Sequence, residues 1–153
     1  MLGLTAGPSS AAQSAITARD IGTYRLTAPV FRQFQQASGL IGVVTASDAR
    51  FRFAPLFTRE VAVSGDAPGA VADLVARIEN DPPLASAVGA AALTAREYSV
   101  FALALFGARL AHGFVEAGVL RRVPAGAATE NVAFVAEHQE EITAVLKTLG
   151  IDG

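Results

Sequence analysis

The sequence predicts an all-α protein, a single-domain helical bundle of four to six helices around a central apolar helix. Three observations carry that expectation. Apolar residues recur at three- and four-residue spacing over several stretches, the mark of helical faces rather than strands. Capping residues next to Pro or Gly separate those stretches. The 153 residues suit one domain, and 32 of the 52% that are hydrophobic are alanines, so helices are expected to pack closely through small side chains.

The elements follow in order. Thr17 can cap a short amphipathic segment, Ala18 to Leu26, before Thr27-Ala28-Pro29 opens the first main helix with proline in its first turn. That helix is expected from Ala28 to Ala46, with Val30, Phe31, Phe34, Ala37, Leu40, Ile41 and Val44 on its inner face. From Ser47 to Gly65 the pattern changes. Phe51, Phe53, Val61 and Val63 alternate with polar residues, which fits a hairpin, but Pro55 and the short runs favour an irregular Phe/Arg-rich excursion folded back onto the bundle.

Asp66 and Pro68 then start a helix to about Asn80, with Val71, Leu74, Val75 and Ile78 inward. Asp81-Pro82-Pro83 ends it and caps a short helix to about Ala92. Thr94 and Glu97 fit a capping box. The helix they open should run to Ala117 and stop at Gly118, and its apolar residues cover most of the circumference, so it is the central helix. After a linker, Thr129 or Asn131 is expected to cap one last helix to Leu149, with Gly150 as its stop.

Composition narrows the function. Twelve basic against fourteen acidic residues give a net charge of -2, without the basic excess that binding a phosphate backbone needs, so nucleic acid is not an expected partner. The absence of cysteine excludes disulfides, thiolate chemistry, Cys-ligated metal and covalent haem attachment. The longest strongly apolar run, Tyr98 to Ala108, lies between Glu97 and Arg109. It is shorter than the roughly 20 residues a membrane span needs, so no transmembrane segment is expected.

The first dozen residues, 1–12, are apolar and then rich in Ala, Ser, Gly and Pro. They read as a signal-peptide remnant or a flexible leader ahead of a bundle domain at 13–153, and the first alternative places the mature chain in the periplasm or outside the cell.

The stretches PLFTREVAVSGDAP, LTAREYSVFALAL and NVAFVAEHQEEI resemble a loose group of small exported bacterial all-helical proteins without assigned activity. The resemblance implies export and a helical fold. It implies no catalytic residue.

Three constellations can carry chemistry. Tyr98, Arg109, His112 and Glu116 fall near one arc of the central helix; the strip either lines a ligand cleft or is the solvated edge of the helix. His112 and His138, six residues before Gly118 and seven to nine after the next cap, come out level if the two long helices pack antiparallel. With Glu116 and Glu141 one turn further, they are candidates for haem b or a divalent metal, or else a hydrogen-bonded packing pair. Arg50, Phe51, Arg52, Phe53, Phe57 and Arg59 interleave arginine with aromatic rings, as at protein interface hot spots.

Residues 1–65 carry six arginines against three acidic residues, a balance of +3, while residues 66–153 carry six basic against eleven acidic, a balance of -5. That asymmetry fits an anionic partner or an internal pairing of first and last helices. No GxSxG, Walker, HExxH or EF-hand motif occurs.

The leading expectation is therefore a non-enzymatic envelope protein that binds an apolar small molecule or a protein partner, with no cofactor. A haem or metal protein is the alternative, an enzyme of unknown type the third, and a homo-oligomer is compatible with all three. Deleting residues 1–12 should leave the melting temperature almost unchanged in a thermal melt, because this segment has no amphipathic pattern to dock.

Overall fold

In a computed structural model that describes residues 18–46, 67–122 and 129–151, every regular element is an α-helix, as the periodicity predicts. The elements are α1 (Ala18–Thr23), α2 (Ala28–Ala46), α3 (Ala67–Glu79), α4 (Pro82–Ala90), α5 (Ala95–Glu116), α6 (Thr129–Glu137) and α7 (Gln139–Thr148). The leader and the Phe/Arg-rich stretch, with Thr17 and Asp66, lie outside the described residues.

Local capping chemistry sets several helix ends where the sequence places them. The Asp81 carboxylate accepts the Leu84 N–H at 3.2 Å, and Pro82 and Pro83 occupy the first two positions of α4, where a missing N–H costs nothing. At α5 the Thr94 hydroxyl accepts the Glu97 N–H at 3.1 Å and the Glu97 carboxylate accepts the Thr94 N–H at 2.8 Å, a complete capping box. Gly118 (φ 71) and Gly150 (φ 73) terminate α5 and α7 in the left-handed region. The next residue after each glycine donates back five residues, Val119 to Phe114 and Ile151 to Leu146. The link from α4 to α5 uses Ala92 at φ 58 instead, a strained choice for a residue with a Cβ.

Helix α5 is the centre of the bundle. Tyr98, Ser99, Phe101, Ala102, Leu103, Ala104, Leu105, Phe106, Ala108 and Ala111 are all buried, which no single neighbouring helix can achieve. Helices α1 to α4 and α6 pack against it, α4 also packs on α2, and α7 on α2. Helix α5 is long and apolar enough to cross a membrane by length and composition alone, a test that a buried core helix also meets, and 61% of that stretch is buried inside the bundle.

The core between α2 and α5 is aromatic. Phe34 meets Tyr98 and Phe101 at ring-centroid distances of 4.9 and 5.0 Å, and Phe31 meets Phe101 at 6.3 Å and, edge-on, Phe134 at 5.5 Å. Tyr98 carries a hydroxyl into this apolar layer, and the buried Ser38 hydroxyl pairs with it at 2.9 Å. Burial pushes the Tyr98 hydroxyl well above the usual tyrosine range, so it stays protonated. Leu40, expected inward, is 40% exposed. Gly42 faces α7 so closely that a Cβ there would lie 2.5 Å from the Thr148 methyl carbon.

Two features depart from the expected last helix. It is bent rather than continuous: His138 has φ -114 and ψ 23, between α6 and α7, although hydrogen bonds still run from His138 N–H to Phe134 and from Ile142 N–H to His138. Asn131 is not its cap. Its side chain is buried within α6, accepting from Leu26 N–H at 2.9 Å and donating to the Tyr24 carbonyl at 2.6 Å. This clamp ties the α1–α2 turn to α6 by satisfying backbone groups that no helix serves. Replacing Asn131 with Leu should cost about 2 kcal/mol in urea denaturation by leaving Leu26 N–H unpaired in a buried site; a loss below about 0.5 kcal/mol would show that water replaces the clamp.

Candidate functional site

The covering of α5 is uneven along its length. From Tyr98 to Phe106 it is buried except at the half-buried Val100, whereas Arg109, His112, Phe114 and Val115 are only partly buried. There the helix forms one wall of a groove whose other wall is α6–α7. Arg109, His112 and Glu116 line it from α5, and Gln139 and Thr143 from α7. Gly113, Val135 and Ile142 complete the apolar part. The groove encloses about 270 Å³, just under the range of about 300–1,000 Å³ typical of pockets for drug-sized ligands.

The α5 residues are brought together by helical spacing: Arg109, His112, Gly113 and Glu116 sit at i, i+3, i+4 and i+7, which share one face. His112 is held from both sides. Its Nδ1 lies 3.6 Å from the Glu116 carboxylate, and the Gln139 amide nitrogen lies 3.3 and 3.4 Å from its two ring nitrogens. Among the described residues Arg109 has no hydrogen bond or ion pair, although Arg25 is paired with Glu130. The Thr143 hydroxyl likewise has no partner among them. A partly buried guanidinium without a carboxylate among the described residues is poised to take an anion from outside the chain.

Tyr98 does not belong to this groove. It shares the azimuth of Arg109, but it sits in the buried stretch of α5, 1% exposed, with its hydroxyl committed to Ser38. His138 does not line the groove with His112. The His138 ring lies against Phe134 and Phe31, with centroids at 4.4 and 5.5 Å, and its Nδ1 meets Glu141 at 3.1 Å. Each imidazole is thus paired with a carboxylate of its own helix, and His138 does not line the groove. No group of three or more potential ligands for a metal ion forms among the described residues. The proposed interface residues Arg50, Phe51, Arg52, Phe53, Phe57 and Arg59 lie outside the described residues.

Gln139 and Thr143 were not singled out from the sequence, since nothing there fixes which face of α7 meets α5. A neighbouring depression, bounded by Gln139, Glu140, Thr143, Ala144 and Lys147, is formed by α7 alone and has no facing wall.

No family model, curated protein or solved structure matches the chain. The groove itself is what a functional reading has to rest on.

The His138 bend carries a separate electrostatic consequence. Hydrogen bonds from His138 and from the Gln35 amide hold the Glu141 carboxyl below its ordinary 4.5. A carboxyl lowered in the folded chain adds stability that is present above pH 4.5 and is lost as pH falls through the folded value. Glu141→Gln should therefore lower the melting temperature at neutral pH, with the difference from the parent closing below pH 4.5. A difference that stays constant with pH would rule this linkage out.

Proposed function

We propose that this chain is a binding protein whose α5/α6–α7 groove takes a small polar molecule carrying an anionic group, most simply a carboxylate, on Arg109. The carrying observation is the partly buried Arg109 guanidinium that lines the groove without a partner among the described residues. A guanidinium offers two parallel N–H donors in the geometry of a carboxylate, which gives orientation as well as attraction. Gln139 and Thr143 supply polar contacts on the facing wall. The mixture favours a polar ligand over the apolar one suggested by composition alone. The reading of an exported protein acting in the cell envelope belongs to this proposal too; it rests on the leader composition, and N-terminal sequencing of the mature chain from its source would test it.

Isothermal titration calorimetry with hexanoate tests the groove. Binding should be weakened about tenfold or more in Arg109→Gln, the scale of one lost charge-assisted hydrogen-bond pair. Equal binding by parent and variant would place the anion elsewhere and overturn the assignment.

A further inference from the structure

The groove is charged with opposite sign at its two ends. Arg109 and Glu116 are seven residues apart on one face of α5, roughly 10 Å along the axis at about 1.5 Å per residue, and both line the groove. The Glu116 carboxylate is 64% exposed and its near neighbour is His112, 3.6 Å away. A simple anion on Arg109 would engage only one of these two charged positions. A ligand with a cation at its far end matches both.

The facing wall describes what lies between those charges. Gln139 and Thr143 are one turn apart on α7, roughly 6 Å, close to the length of two residues of extended chain, each about 3.3–3.6 Å. An amide and a hydroxyl can bond the N–H and C=O groups of a peptide backbone, whereas an aliphatic chain would cover them without pairing. Midway on α5, Gly113 leaves open space: a Cβ there would meet nothing within 4 Å.

We propose that the groove binds a short zwitterionic peptide of about three residues, its carboxylate on Arg109 and its amino terminus at Glu116. This rests on the reading of Arg109 as an anion site, and it names the ligand class of that site. Three extended residues span about 10 Å, the separation of the two charged positions.

Calorimetry on the full chain with triglycine, N-acetyl-triglycine, triglycine amide and aminooctanoate separates the claims. Triglycine should bind, and acetylation of its amine or the change Glu116→Gln should each weaken it about tenfold. Acetylation should cost nothing further in the Glu116→Gln variant, because both remove the same contact. Aminooctanoate, with similar charge spacing but no backbone amides, should bind more weakly than triglycine. Gly113→Leu, which fills the groove at a position free of internal contacts, should abolish binding while far-UV circular dichroism stays helical.

Equal binding of triglycine and its acetylated form, both lost in Arg109→Gln, would overturn the zwitterion and leave the anion site standing. Aminooctanoate binding as tightly as triglycine would overturn the peptide. Triglycine amide binding as tightly as triglycine, with Arg109→Gln indifferent, would overturn the anion site as well. Absence of triglycine binding where hexanoate binds would overturn the inference alone.

Discussion

Helix α5 buries Tyr98, Phe101, Leu103, Leu105 and Phe106 within nine residues, and at the α-helical repeat these side chains spread over more than half of its circumference. Burying one large apolar side chain is worth about 1.5–3 kcal/mol, so an uncovered strip anywhere along this stretch would be costly. The other helices are arranged to prevent that. Helix α2 brings Phe31 and Phe34 to one side and α6 brings Phe134 and Val135 to another, with α3 and α1 closing the rest. The small residues of α5, Ser99, Ala102, Ala104, Ala108 and Ala111, let those neighbours approach closely enough to cover it.

The same requirement explains where the groove lies. Beyond Ala111 the large inward residues thin out and polar ones take their place on one face, so complete covering is no longer demanded. The helix pair α6–α7 bends at His138, and α7 departs toward α2, where Gln35 meets Glu141. A wall remains at Gln139 and Thr143 without the packed contact seen at the other end of α5. Site and core are thus two lengths of a single helix that differ in how far it must be shielded.

The parts of this arrangement readable in the sequence are those decided by neighbours within one turn. Asp81, the Thr94–Glu97 box, Gly118 and Gly150 mark helix ends because their partners are a few residues away. The groove face of α5 was legible for the same reason, as Arg109, His112 and Glu116 share it by spacing alone. Tyr98 shares that azimuth and was still misplaced, because azimuth says nothing about how the surroundings change along an axis of 22 residues. Counting residues likewise gave His112 and His138 a common height but no common direction. Asn131 looked like a cap and serves as a clamp on Tyr24 and Leu26, partners more than a hundred residues distant, which no local pattern could reveal.

The close approach of α2 and α7 at Gly42 links two positions far apart in the chain. Bulk at residue 42 and the methyl group of Thr148 compete for one volume, with the Thr148 carbonyl only 3.2 Å from where a Cβ would stand. A side chain gained at 42 would therefore press on α7 twice, and trimming the Thr148 methyl would relieve the closer contact while the backbone one remains. Since Thr148 also donates to the Ala144 carbonyl, a serine there would keep the hydrogen bond while giving up the methyl.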